Sequence, residues 1–480
     1  MPTELASRLA DSWFGTAILV YAGALFIQYT VLNLLALSEI GRQRRQLRLA
    51  DRLGLFESDL APPISLILPL RDRAGAAVDY VRSLMRLRYP AFEIVVVNDG
   101  SEDGTLRALT DAFGLRPVHR TPRTQAPRER IRGVHGSRHY PFLTVVDLER
   151  GGRGQALNLA LAFCRHPLFL VLEPDTWLER DTLLSLALPF YEDASVLVTG
   201  GVVRPANGCR IENGALAGTG LSKHPLVRFQ VVEYLRQLLS GRLGWTRLDS
   251  LFFLPGSLGL FSRAAVQAVG GFRTDTAGED MELVMRIQRW AARRRQGFQV
   301  RFVGGAVAWT RVPETLREVG RQRARWHQAL AQALWLNPDL LFNTRFAPHH
   351  GIAYFAQLFF ELSSPAVELC GLLLAVALVL AGRATAAFPV VFLALFVVGG
   401  TLTSLMSIGL ERLSCPRLRV RELEAVSIYA LLENFGYRQF IAVWRLKGLL
   451  DAALGRRVPE ATRRAPRHSV EAGEDRQHAA

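Results

Sequence analysis

Apolar and polar positions divide this chain into blocks. Residues 13–37 contain no charged side chain, and neither do residues 384–410. The stretch 352–381 is nearly as apolar but carries Glu361, Pro365 and Glu368. A hydrocarbon layer of about 30 Å needs roughly 20 apolar helical residues, so the first block predicts one crossing. The 352–381 stretch is too short for two crossings and predicts an interfacial helix leading into one spanning helix near Pro365. A turn at Gly382-Arg383 then sends residues 386–410 back across. The last apolar stretch, 423–443, contains Glu424, Glu433, Asn434 and Arg438. A charge at mid-bilayer costs about 2.5–3.5 kcal/mol, so this stretch reads as interfacial or re-entrant, with a fourth crossing as the alternative.

Between the apolar blocks the period changes. Residues 64–70 and 92–97 are continuous apolar runs, the second β-branched through its core, and read as buried strands. Val78, Val81, Leu84 and Met85 share a helical face over 78–87, and a second helix follows at 105–113. Strands at 144–147 and 168–172 bracket a helix at 156–164, and another helix is expected at 281–289. This alternation predicts an α/β domain on a mostly parallel, Rossmann-like sheet, with ligands at the carboxyl ends of the strands. The domain is bounded at 62–335, after a membrane helix at 1–40 and a basic linker at 41–61. Downstream come an interfacial segment (336–364), two membrane helices (365–411), a basic loop with the interfacial or fourth helix (412–450) and a disordered basic tail (451–480). The basic loop 120–138 reads as a solvated surface excursion, with phosphate binding as the alternative.

The net charge is +15, yet only Lys223 and Lys447 are lysine among the basic residues. Such a skew in an Ala/Leu/Arg-rich chain is a compositional bias, and individual Arg clusters are discounted accordingly. No nucleic-acid motif accompanies the charge, so the expected partners are a lipid bilayer and phosphate-bearing substrates, with no nucleic acid. Arg42, Arg44, Arg45 and Arg48 follow the first crossing, and Arg412, Arg417, Arg419 and Arg421 follow the last. Positive-inside logic puts these, the polar section and the C-terminus on the cytoplasmic side of a plasma (inner) membrane. Cys164, Cys209, Cys370 and Cys415 are scattered without a C-x-x-C pair, which argues against a disulfide framework or zinc site and fits a reducing compartment.

Four short motifs fall in order within the polar section. Asn98-Asp99-Gly100-Ser101 ends a strand, where a carboxylate can accept hydrogen bonds from a base or ribose; the plainer reading is an Asp-Gly turn. Glu173-Pro174-Asp175 also ends a strand, and two carboxylates so spaced can share a hard divalent cation; otherwise Asp175 caps the next helix. Gly278-Glu279-Asp280 precedes a helix whose dipole favours an ionised Asp280, suited to a general base or simply to capping. Gln322, Arg325 and Trp326 share one helical face, where Arg325 can pair with a diphosphate and Trp326 can stack on a pyranose ring. An amphipathic helix on lipid headgroups is the plainer reading, compatible with the first.

In this order, directly before membrane helices, these residues resemble the processive, membrane-embedded family-2 glycosyltransferases, which include the synthases of cellulose, hyaluronan and poly-N-acetylglucosamine. The resemblance covers roughly 66–326. Residues 229–245 and 434–445 and the C-terminal helix pair look most like the poly-N-acetylglucosamine branch. It implies a glycosyltransferase A fold, inversion at the anomeric carbon, a UDP-sugar donor and a glycan acceptor. By position, Asp99 would contact uridine, and Asp175 with Glu173 would hold Mg2+ or Mn2+ at the diphosphate. Asp280 would deprotonate the acceptor hydroxyl, with Glu279 beside it binding the acceptor. Gln322 and Arg325 would close over the diphosphate, Trp326 would hold the acceptor end, and the loop at Gly256 would lie under the acceptor sugar. Three positions depart from the family pattern: Arg73 where an acidic residue is usual, Gln155 where a carboxylate is usual, and Glu173 in place of aspartate. A glycolipid acceptor with single-sugar transfer, and a catalytically silent scaffold, are the competing readings. Polysaccharide-export subunits are implied as further partners.

Overall fold

The computed structural model describes residues 13–52, 61–123, 128–212, 214–294, 297–341, 348–382, 387–414 and 416–456. Expectations for residues 1–12, most of the linker, the turn after Gly382, Cys415 and the tail beyond 456 fall outside these ranges. Helix α1 (Trp13–Arg52) contains the charge-free block and runs on through the arginine-rich stretch. Its Gln43 amide donates to the Phe302 carbonyl at 2.8 Å and accepts from the Gly304 amide at 2.9 Å. The membrane helix is thereby pinned to the soluble section.

The α/β section opens with β1 (Ile64–Leu70), α2 (Ala77–Leu84), β2 (Phe92–Asp99), α3 (Thr105–Phe113) and β3 (Leu115–Pro117). It continues through β4 (Ile131–Ser137), β5 (Leu143–Leu148), α4 (Arg153–Phe163), β6 (Leu168–Val171), β7 (Thr176–Leu178), α5 (Thr182–Glu192) and β8 (Val196–Pro205). A separate two-stranded sheet pairs β9 (Arg210–Glu212) with β10 (Ala215–Gly218). Then come α6 (Pro225–Tyr234), α7 (Arg242–Arg247), β11 (Gly259–Ser262), α8 (Arg263–Ala268), α9 (Glu279–Arg293), β12 (Gln299–Thr310) and α10 (Leu316–Leu336).

The main sheet runs β3-β4-β5-β2-β1-β6-β11-β8-β12-β7. β1 is buried throughout and pairs in parallel with β2 and β6, and β2 with β5. This is the half that the alternation predicts, because parallel strands covered on both faces read as unbroken apolar runs. The other half is mixed: β11 runs antiparallel to β6 and β8, β12 parallel to β8, and β7 antiparallel to β12. The loop 120–138 is not simply a solvated excursion. β4 lies within it, antiparallel to β5, and Arg120 reaches inward to Glu93 at 3.3 Å and the Phe163 carbonyl at 3.0 Å.

Downstream, α11 (Pro348–Ala356) runs on to Leu362 and meets α12 (Ser364–Leu380) at a 43° bend, next to the Pro365 that the sequence singled out. The apolar rod 387–414 contains α13 (Ala387–Leu393) and α14 (Gly400–Ser414). Among the described residues two helices, 13–50 and 387–414, are long and apolar enough to cross a membrane, and the bent pair makes a third if it is one span. Among the described residues, α15 (Val420–Leu432) and α16 (Tyr437–Ala453) do not reach that length and apolarity. The helix break between them falls at Gly436, whose φ of 103° suits only glycine.

Candidate active site

The carboxyl ends of β1 and β6 open onto a cleft of about 670 Å³. Eight of the nine sequence-predicted site residues line it: Glu173, Asp175, Gly256, Glu279, Asp280, Gln322, Arg325 and Trp326. Asp99 is the exception. Its carboxylate accepts the backbone amides of Gly151 and Gly152 at 2.8 and 3.1 Å. In the structure Asp99 holds the turn that leads into α4. From sequence, an Asp-Gly strand end looks the same in either role.

Asp175 follows β6 with a φ of 72°, a region that costs a non-glycine residue energy and that surrounding contacts must maintain. Those contacts come from other elements. The Tyr80 hydroxyl of α2 donates to Asp175 Oδ1, and Arg73, just past β1, lies 3.4 Å from Oδ2. Arg153, at the first turn of α4, lies 3.4 Å from Glu173 and 2.7 Å from Glu279. A cation at a helix N-terminus opposes the helix dipole, and here the facing carboxylates compensate. Burial alone would lower the Arg153 pKa, but Glu173, Glu279 and Asp280 together hold it above the usual arginine value.

Asp280 sits in the first turn of α9. Burial, then the neighbouring Glu279 charge, push its pKa up to about 6, with Arg153 opposing the rise. The carboxyl is therefore ionised at neutral pH and remains a usable base. It fits because residue 256 is glycine: a Cβ there would lie 2.1 Å from Asp280 Oδ2. At Gly278 a Cβ would lie 2.6 Å from that of Ala329, which brings the start of α9 against α10.

α10 begins at Thr315, whose hydroxyl accepts the Glu318 amide at 3.4 Å. One face then presents Gln322, Arg325 and Trp326 to the cleft, and Arg325 Nε has no hydrogen-bond partner among the described residues. The cleft extends to Tyr29 and Leu32 on α1, and to Glu361 and Arg445. Tyr29 donates to Glu361 at 2.7 Å, so a membrane helix forms part of the wall. His327 accepts a long hydrogen bond from Arg445 at 3.3 Å, and burial with that cation lowers its pKa to about 3, leaving it neutral.

Sequence reasoning missed several lining residues. Glu233, Tyr29 and Arg445 carry no local signal, because their partners lie far away along the chain. Arg73 stands out in the sequence only as a departure from a pattern, and Arg153 carries no signal of its own. For a divalent cation, the Glu173–Asp175 loop offers two hard carboxylate donors. No group of three or more His, Cys, Asp or Glu side chains is placed to hold a metal ion among the described residues. That donor set fits a cation that takes its remaining oxygens from a diphosphate or water.

Mixed sheet, cleft and apolar helices together are those of an α/β glycosyltransferase with membrane helices. Two family models match the sequence: glycosyl transferase family 2 over residues 65–267, and glycosyl transferase family group 2 over residues 169–406. The chain belongs to glycosyltransferase family 2. Similar curated proteins include the poly-beta-1,6-N-acetyl-D-glucosamine synthase of Staphylococcus epidermidis, 22% identical over 277 residues, covering 57% of this chain and 56% of that protein. A synthase of the same name from Staphylococcus aureus is 24% identical over 266 residues, covering 55% and 54%. The chain thus spans a little over half the length of the curated relatives it matches. Among solved structures, the mannosyltransferase PcManGT from Pyrobaculum calidifontis, in complex with GDP-Man and Mn2+, aligns with a TM-score of 0.49 and 18% identity. That alignment covers 91% of this chain and 99% of that one.

Proposed function

We propose that this protein moves a sugar, N-acetylglucosamine or glucose, from a UDP-sugar to the end of a growing polysaccharide, with inversion and with a divalent metal. The observation that carries this reading is the convergence of Asp280, the Glu173/Asp175 pair and the Gln322/Arg325/Trp326 face in one cleft that reaches a membrane helix. The name of the staphylococcal relatives favours N-acetylglucosamine. The apolar helices and the arginines that follow them support a catalytic section on the cytoplasmic face of the plasma membrane.

In this mechanism Asp280 takes the proton from the acceptor hydroxyl as its oxygen bonds to the anomeric carbon. The bond from that carbon to the diphosphate oxygen breaks on the opposite face, and UDP leaves with the electron pair. Glu173 and Asp175 would hold Mg2+ or Mn2+, which when bound screens the charge on the departing diphosphate. Arg325 pairs with the same phosphates, and Trp326 gives the acceptor pyranose a flat apolar surface. A polymer of many sugars also needs a route out, which suits a cleft open to α1 and leaves room for export subunits as partners.

The test is purified full-length protein in detergent, supplied with each of several UDP-sugars and Mn2+. Expected are UDP release with one donor, loss of it with EDTA, and a polymeric product. A single sugar on a lipid would replace this reading with transfer to a glycolipid. No UDP release with any donor would leave the scaffold reading standing.

A further inference from the structure

Arg323 lies inside the Gln322–Trp326 stretch but was assigned no role there. It is 2% exposed, and its guanidinium is engaged on every side. Nε and Nη2 donate to the two oxygens of Glu233 at 2.8 and 2.7 Å. Tyr437 of α16 donates to the same carboxylate at 2.8 Å. An ion pair serving only to join α6 to α10 would be complete at that point. The remaining contacts go to the cleft side chains. Nη1 donates to Gln322 Oε1 at 2.6 Å, and the guanidinium carbon lies 4.3 Å from the centre of the Trp326 ring.

Resting on the transferase reading above, we propose that Arg323 is a positioning residue that sets both Gln322 and Trp326 for the substrates. Occupying Gln322 Oε1 fixes the amide so that its NH2 end is the one left for the cleft, a donor matched to phosphate or sugar oxygens. The cation against Trp326 holds the indole in one orientation, worth more here than at an exposed site because the guanidinium is buried. Only a planar, forked cation can satisfy Glu233, Gln322 and an aromatic face at once; lysine supplies a point charge.

Two variants test this in the full-length protein. Arg323→Lys keeps a charge opposite Glu233 but loses the fork. The paired Arg323→Met/Glu233→Leu change removes both charges at similar volume, a replacement that often keeps stability. In fluorotryptophan-labelled protein, the Trp326 resonance is assigned by its loss in Trp326→Phe. Expected in both variants are a shift of that resonance and a fall in kcat of ~10- to 100-fold, the size a misplaced group produces. Adding Gln322→Ala to Arg323→Lys should cost little more, since the two act through one contact. An unmoved Trp326 resonance, or turnover within about twofold of the unaltered protein, overturns the proposal. If the unaltered protein turns over no UDP-sugar, the transferase reading fails, while the resonance still decides whether Arg323 sets the ring.

Discussion

Asp280 is buried and stands close to Glu279 and Glu173, with Arg153 opposing them, and its carboxyl responds by holding its proton up to about pH 6. Two consequences follow, with opposite signs. The base must be ionised, so kcat/KM should fall as pH drops below about 6, and Asp280→Asn should cost ~100- to 10,000-fold at neutral pH. Retained turnover in Asp280→Asn would remove Asp280 as the base. Stability runs the other way. The folded value exceeds the ordinary 3.8, so the contribution of this group is fully present below the unfolded pKa and is lost as pH rises through about 6. Asp280→Asn should therefore melt above the unaltered protein at pH 8 and lose that advantage in acid, which a thermal melt at several pH values checks. Gly256 belongs to the same pocket. In Gly256→Ala the new Cβ would lie 2.1 Å from Asp280 Oδ2, so the carboxylate must move. A displacement of about 1 Å can cost ~100-fold, and the loss should appear in kcat. At this scale the sequence singled out residues that the fold brings into one cleft, as at Glu173, Asp175 and Asp280. It was silent where the chemistry is shared, as at Arg153, whose carboxylate partners come from two distant segments.

Helix α10 brings Gln322, Arg325 and Trp326 to the cleft, and two glycines let it seat closely against α16. A Cβ at Gly320 would lie 2.3 Å from the Trp444 indole, and one at Gly448 would lie 2.1 Å from the Ala324 carbonyl. At Gly448 the backbone of α16 thus meets that of α10 with no side chain between, while at Gly320 the missing Cβ makes room for the Trp444 indole. Gly448→Val should push them apart. Overpacking of this kind costs about 1–3 kcal/mol, so a lower melting temperature is expected together with reduced turnover. A variant that melts lower yet turns over normally would show that the seating of α10 does not depend on α16. The sequence placed Gln322, Arg325 and Trp326 on a helix but did not separate α16 from α15, so the contact between α10 and α16 was not legible. The stretch 423–443 read as one ambivalent element because Glu433 looked costly in an apolar setting. In the fold Glu433 is buried against Arg236 and accepts the Ser404 hydroxyl at 2.8 Å. Strands β8 and β12 were not read at all, since Gly200-Gly201 and Gly304-Gly305 interrupt their apolar runs. Close packing explains the first pair: a Cβ at Gly200 would meet Leu254 at 2.5 Å, and one at Gly201 the Ala306 carbonyl at 2.6 Å.

Taken whole, the molecule does not divide where its composition does. The core that contains β1 and β2 also contains Leu32, Ala36 and Ile40 of α1, Ile408 and Leu410 of α14, and Val426 and Ala430 of α15. The cleft is assembled in the same way, with Tyr29, Glu361 and Arg445 facing residues from the sheet. A soluble section bounded at 62–335 accounts for the chemistry-bearing motifs, but it leaves out part of the core and part of the active-site wall. Burying apolar surface is worth about 25 cal/mol per Å², and a fragment deprived of α1 and α14–α16 would expose that surface to water. Residues 62–335 expressed alone should therefore aggregate or bind UDP-sugars weakly, whereas the full chain in detergent should be monodisperse and active. Size-exclusion chromatography with calorimetric titration of UDP and Mn2+ separates these outcomes. If the fragment is monomeric and matches the full chain in donor binding, then α1 and the C-terminal helices serve only as an anchor. In that case the extension of the cleft to Tyr29 contributes nothing to donor recognition, and any role left to it must lie with the acceptor.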